Sequence, residues 1–138
     1  MGQKVELACI IDDDKIYVNL VKKIIEIKNL SENLLIYKNG KEALDYFKDI
    51  MENTTDEDKL PDIIFLDLNM PVMDGWEFLN EFIKIKNGLN KKITLYVVSS
   101  SIDPRDLERA KSINLVTDYL IKPIELKKFE KIFAKTAA

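Results

Sequence analysis

The sequence predicts a doubly wound α/β fold: a five-stranded parallel sheet covered on both faces by five helices. Three observations lead there. Short apolar runs alternate strictly with segments of helical periodicity, the connections between them are short, and the strand-like runs stop at polar or turn-forming residues. Strict β-α alternation implies right-handed crossovers, and so parallel strands. The order 2-1-3-4-5 is the common doubly wound order that suits five strands; it is adopted from that general pattern and not read from the residues.

Val5 to Ile11, VELACII, reads as the first strand and stops at Asp12-Asp13-Asp14. From Lys15 to about Lys28, Ile16, Leu20, Ile24 and Ile27 recur with helical spacing, with Val21 and Ile25 beside them. Asn33 to Lys38 is a second strand, broken by Asn39-Gly40, which opens a helix carrying Ala43, Leu44, Phe47, Ile50 and Met51. The polar run Asn53 to Lys59 is a solvated loop. Ile63 to Leu66 is a run suited to a strand buried on both faces, and it ends at Asp67. Asn69, Pro71 and Asp74-Gly75 supply turn chemistry, and a helix with Trp76, Leu79, Phe82 and Ile83 on one side ends near Asn87-Gly88. Ile93 to Val98 is the fourth strand, closed by Ser99-Ser100-Ser101. Asp103-Pro104 then starts a helix, with Asp at the N-cap and Pro in the first turn. Asp118 to Ile121 is the fifth strand, closed by Lys122-Pro123. The last helix carries Leu126, Phe129, Ile132 and Phe133, and its final residues, AKTAA, are expected to fray.

With 138 residues, 46% of them hydrophobic and 33% charged, the chain suits one globular domain over residues 1–138 with a real core. A net charge of −3 and no basic stripe speak against wrapping nucleic acid. No apolar run is long enough to span a bilayer, and no signal peptide precedes the first strand, so the expected compartment is the cytoplasm. Cys9, the single cysteine, lies in an apolar strand and is expected to be a small core residue. The absence of histidine removes imidazole base chemistry and most ligands for zinc or copper, so any metal should be a hard cation held by oxygens.

In the expected strand order, the first and third strands are neighbours, and their carboxyl ends carry Asp12, Asp13 and Asp67. The fourth brings Ser99 to the same rim, and the fifth brings Lys122. Taken singly, each has a plain structural reading; Asp67, for one, could merely cap the following loop. Together they place three acids, a hydroxyl and an ammonium where open α/β sheets bind ligands. Three clustered carboxylates repel one another. Lys122 offsets one charge and a divalent cation the other two, and an open rim with room for water favours Mg²⁺. Such a site suits an incoming phosphoryl group, with Mg²⁺, Lys122 and Ser99 each taking an oxygen and a carboxylate attacking phosphorus. Asp67 is the best nucleophile, because it alone follows a fully apolar strand and faces both other acids and Lys122.

Asp12-Asp13, Asp67 within LDLNMPVMDG, Ser99 and Lys122-Pro123 together resemble the receiver domain of two-component response regulators, a flavodoxin-like fold, over essentially the whole chain. The resemblance implies that Asp67 accepts the phosphoryl group from a phosphohistidine on a histidine kinase or histidine phosphotransfer protein. It implies Mg²⁺ ligation by Asp13, Asp67 and the backbone carbonyl of Asn69, with Asp12 acting mainly through water. It also implies a cis Lys122–Pro123 bond. The switch of the family maps onto Ser99 and Tyr119: the phosphoryl group draws the Ser99 hydroxyl inward, and Tyr119 turns into the space left. The surface of the fourth helix, fifth strand and fifth helix then changes for a downstream protein target. The side chains of Asn69 and Ser101 flank the path of attacking water and tune dephosphorylation. Asp14 matches no ligand position and is a candidate helix cap. Ser stands at position 99 where many receivers have Thr, so the switch hydroxyl is kept and a methyl lost.

No output domain follows the last helix, so the expected protein is a stand-alone phosphoacceptor switch, monomeric or weakly dimeric, and not a turnover enzyme. Two other classes remain. An Mg²⁺-dependent phosphotransferase or phosphatase using an aspartyl intermediate usually places a second Asp two residues past the nucleophile; here that residue is Asn69. A flavin-binding module would need a Ser/Thr/Gly-rich loop after the first strand, where this chain has three acids.

Overall fold

In the computed structural model, residues 4–53, 59–86 and 91–137 are described. The elements run β1 Val5–Ile11, α1 Lys15–Ile27, β2 Ser31–Tyr37, α2 Gly40–Asn53, β3 Ile63–Asp67, α3 Gly75–Lys86, β4 Thr94–Ser99, α4 Pro104–Lys111, β5 Val116–Ile121 and α5 Leu126–Ala137. The strands form one parallel sheet in the order β2-β1-β3-β4-β5, as expected. Most of the solvated loop foreseen before β3, residues 54–58, and the foreseen end of α3 at residues 87–88 lie outside the described residues.

Alternation along β3 explains why the sheet needs helices on both faces. Ile63 and Phe65 pack with Val18, Val21, Ile25, Phe129, Ile132 and Phe133 of α1 and α5. Ile64 and Leu66 point the other way, to Ala43, Phe47, Phe78, Phe82 and Ala110 of α2, α3 and α4. All five β3 residues are buried. Phe65 meets the rings of Phe129 and Phe133 at 5.2 and 5.6 Å, and Phe78 stacks on Phe82 at 5.3 Å. Cys9 is a fully buried core residue, as expected.

The helices depart from the sequence reading in which face they bury. In α1 the core face is Val18, Val21 and Ile25, whereas Ile16, Leu20 and Ile27 are exposed. Two apolar stripes share this helix, and periodicity alone gives no rule for choosing between them; the turn at Asp14 that starts the helix sets its rotation. Phe78 joins the core of α3, while Ile83 and, in α5, Leu126 are partly exposed, at 36% and 41%. Strands β2 and β5 each begin two residues before the starts expected at Asn33 and Asp118, because Ser31 pairs with Val5 and Val116 with Leu95. On edge strands a neighbour's backbone extends the pairing past the apolar residues. The AKTAA tail does not fray within the described residues: α5 continues through Ala137, with the Thr136 hydroxyl donating to the Ile132 carbonyl at 2.9 Å.

The caps agree with the residues that suggest them. Asp14 Oδ1 accepts from the Tyr17 amide at 3.1 Å and Asp103 Oδ1 from the Arg105 amide at 2.9 Å. Asn29 adopts φ 55° just past the end of α1, a position that tolerates Asn. Val72 also takes a positive φ, 67°, in the loop after β3; a branched side chain is strained there. On the other side of the molecule the Arg109 guanidinium of α4 lies 4.2 Å over the ring of Trp76 in α3, tying the two helices together.

Candidate functional site

The site lies at the carboxyl ends of the three central strands. Asp12 follows β1, Asp67 ends β3 and Ser99 ends β4, with β3 the common neighbour of β1 and β4. Lys122 follows β5, and its amide donates to the Ser99 carbonyl at 2.9 Å. Asp12, Asp67 and Ser99 are buried, while Asp13 is exposed. One carboxylate oxygen from each of Asp12, Asp13 and Asp67 falls within 4.8 Å of the others. The acids that the sequence separates by more than fifty positions are thus brought together.

Each acid is held differently. Asp12 Oδ1 accepts from the Asp14 amide at 3.0 Å, and Oδ2 meets Lys122 Nζ at 2.7 Å. Asp67 Oδ1 accepts from the Leu68 amide at 2.9 Å and stands 3.7 Å from Lys122 Nζ. Burial, and next the neighbouring Asp12, push the Asp67 carboxyl up to about 6; Lys122 and the amides of Leu68 and Asn69 pull the other way. A single ammonium therefore does not neutralise the bowl. This donor set fits a hard divalent cation: it is all oxygen, anionic, short of two positive charges and open on the Asp13 side.

The remaining residues form a second layer toward α4. Ser99 Oγ, fully buried, accepts from the Ser101 amide at 3.1 Å. The Ser101 hydroxyl donates to Asp106 Oδ2 at 2.8 Å and accepts from the Asp103 amide at 3.3 Å, so it is committed to the start of α4. The Ser101 carbonyl accepts from the Tyr119 hydroxyl at 2.9 Å, and Tyr119 itself is buried. Asn69 is exposed in the loop that follows Asp67. The Lys122–Pro123 bond is cis.

Two neighbours of the site went unnoticed in the sequence. The ring of Tyr17 lies 4.4 Å from Lys122 Nζ; its position three residues past Asp14, in the first turn above the acids, was the available signal. Gly75 donates its amide to the Leu68 carbonyl at 2.9 Å, and a Cβ placed there would stand 2.4 Å from the Asp67 carbonyl oxygen. DG after a strand reads as a turn, which conceals that this glycine is required by contact.

The family model of the response regulator receiver domain matches residues 8–134. The chain belongs to this family. Receiver domains are phosphoacceptor modules of two-component signalling, and they typically bind Mg²⁺. The chain is 32% identical over 115 residues to the probable methanogenesis regulatory protein FilR2 of Methanothrix harundinacea, covering 83% of this chain and 70% of that protein. A two-component response regulator from Cytophaga hutchinsonii has a similar structure, with a TM-score of 0.84 and 28% identity over 97% of this chain and 98% of that one. The Mn²⁺-bound form of response regulator Rcp1 is similar with a TM-score of 0.71 and 27% identity, covering 94% of this receiver and 90% of that chain. No helix among the described residues is long and apolar enough to cross a membrane.

Proposed function

We propose that this receiver accepts a phosphoryl group on Asp67 from a phosphohistidine of a histidine kinase or histidine phosphotransfer protein, and signals by an altered surface around α4, β5 and α5. The observation that carries the reading is the meeting of Asp12, Asp13 and Asp67 within 4.8 Å beside a single ammonium, Lys122. An Asp67 oxygen attacks phosphorus, the P–N bond breaks, and its electron pair returns to the imidazole nitrogen of the donor, which takes up a proton. Asp13, Asp67 and the Asn69 carbonyl are the proposed ligands of Mg²⁺, with Asp12 acting through water; the bound cation supplies charge to offset repulsion between phosphoryl oxygens and carboxylates. The Leu68 amide keeps one Asp67 oxygen oriented. Exposed Ile16 and Val72, at the start of α1 and in the loop after Asp67, offer apolar footing for the protein that delivers the group.

Ser99 and Lys122 would each take a phosphoryl oxygen. For Lys122 this means turning from Asp12, where its ammonium now lies closest. If Ser99 shifts toward the phosphoryl group, the bond it accepts from the Ser101 amide is disturbed, and Ser101 is also the residue that holds Tyr119 and Asp106. The signal thus has a covalent and hydrogen-bonded route to α4. Tyr119 is already buried, its hydroxyl on the Ser101 carbonyl while Ser99 still accepts from the Ser101 amide, so a turn of Tyr119 toward space left by Ser99 would have to break that bond. Tuning of dephosphorylation by Ser101 requires its hydroxyl to leave Asp106; Asn69 meets no such restraint, being exposed.

Incubation with acetyl phosphate and Mg²⁺ tests the reading: intact mass should rise by one phosphoryl group, and no rise with an intact fold refutes it. Lys122→Ala is expected to leave Mg²⁺ affinity within about threefold, since the carboxylates remain. It should also erase the response of the Tyr119 ring resonances to beryllofluoride. Equal Tyr119 responses in both proteins would remove Lys122 from the switch.

A further inference from the structure

Tyr17 takes no part in the roles above, yet it stands against the ammonium that pairs with the acids of the site. Its amide is fixed to Asp14 Oδ1 at 3.1 Å, and its ring packs half-buried on the core layer beneath α1 and α5. From that anchored position the ring lies 4.4 Å from Lys122 Nζ. The ammonium reaches Asp12 at 2.7 Å and Asp67 at 3.7 Å, and only 14% of the Lys122 side chain is exposed. It therefore has two carboxylates and an aromatic ring as walls.

Lysine is a compact charge on a flexible stem, free to swing unless its surroundings confine it. The two carboxylates hold the ammonium on one side, nearer Asp12 than Asp67, and leave its stem free to turn. An aromatic face adds an attraction that depends on position and strengthens away from water. We infer that Tyr17 is a positioning residue, holding the Lys122 ammonium at the rim of the acidic bowl and thereby setting how readily Lys122 meets the arriving phosphoryl oxygen. This rests on the reading of Asp67 as phosphoacceptor. The face of the ring does the work, so a phenyl ring serves and an aliphatic side chain of similar bulk does not. A ring that merely fills space beside α5 would show the opposite pattern, tolerating an aliphatic replacement and acting independently of Lys122.

The test compares wild type, Tyr17→Phe, Tyr17→Leu, Lys122→Ala and the Tyr17→Leu/Lys122→Ala double variant as full chains, following the rate of mass gain from acetyl phosphate in Mg²⁺. Tyr17→Phe should stay within about twofold of wild type, Tyr17→Leu should slow about three- to thirtyfold, and the slowing should vanish in the Lys122→Ala background. In metal-free protein, the Lys122 ε-methylene protons should be shifted upfield by the ring in wild type and Tyr17→Phe, and revert in Tyr17→Leu. This second readout stands even if Lys122→Ala reacts too slowly to time. Equal slowing by Tyr17→Leu in both backgrounds, a Tyr17→Leu rate equal to wild type, or an unshifted Lys122 in wild type each overturns the inference. A wild-type chain that gains no phosphoryl group overturns the phosphoacceptor reading itself, and is seen before any variant is compared.

Discussion

Asp67→Asn is expected to abolish phosphorylation, lowering the rate by at least about a thousandfold, while making the metal-free protein more stable at neutral pH. The first effect follows from removing the only proposed nucleophile, and intact mass after acetyl phosphate treatment measures it; a full mass gain in the variant would move the nucleophile elsewhere. The second follows from electrostatics. The folded chain holds the Asp67 carboxyl at about 6, above its ordinary value of 3.8, chiefly through burial and then through Asp12. The folded state therefore binds the proton more tightly than the unfolded state. The associated stability is fully present below about pH 4 and is lost as pH rises through about 6. Near pH 7.5 the charged carboxylate costs the metal-free fold about 2 kcal/mol. Asparagine removes that charge, so urea unfolding near pH 7.5 should find Asp67→Asn more stable by about 1–2 kcal/mol, with the difference shrinking as pH falls toward about 4. A gap that widens on acidification would contradict the proposed electrostatics. Mg²⁺ should stabilise wild type more than the variant, since a ligand is lost.

Gly75→Ala should produce the largest structural damage of any single methyl added near the site. The new Cβ would lie 2.4 Å from the Asp67 carbonyl oxygen and 2.8 Å from Leu68 Cα. Both are backbone atoms, fixed by the pairing of β3 with β4 and by the Gly75 amide bond to the Leu68 carbonyl. Neither can swing aside as a side chain would, so α3 must move away from the strand or the strand must bend. A loss of about 3 kcal/mol, roughly 10 °C in Tm, is expected. Because the displaced backbone carries the Asp67 side chain, phosphorylation should fall as well, even at temperatures where the variant stays folded. Gly40→Ala makes an instructive partner. Its Cβ would meet Phe78 Cβ at 2.9 Å and Met73 Cγ at 3.0 Å. Methionine is adaptable, so part of that crowding can relax. A Gly75→Ala variant with unchanged Tm and unchanged phosphorylation would show the contact to be unimportant.

The β-α alternation and the residues of the acid rim were legible because each rests on a local signal that nothing competes with, whereas the strand order came from the general doubly wound pattern and not from the residues. A run such as Ile63–Leu66 can only be buried on both faces, and a carboxylate placed just after it must stand at the sheet edge. Asp12, Asp67 and Lys122 are legible for the same reason. The face of α1 was not. Ile16, Leu20 and Ile27 repeat as well as Val18, Val21 and Ile25, and only the direction in which the chain leaves β1 decides which set turns inward. Contacts across the fold were also hidden. The ring of Tyr17 on Lys122 joins residues more than a hundred positions apart, and the Ser101–Asp106 bond depends on how α4 starts. Ser101 reads as one more hydroxyl at a strand end, yet here its side chain is held by a helix cap.

Trp76 is the one tryptophan of the chain, and a guanidinium from a different helix rests on its face. An indole's emission colour and brightness depend on the charge beside it. Any rearrangement that carries Arg109 away from α3 should therefore be written into the protein's intrinsic fluorescence, so the molecule comes with a built-in optical gauge of the proposed signalling surface that needs no dye.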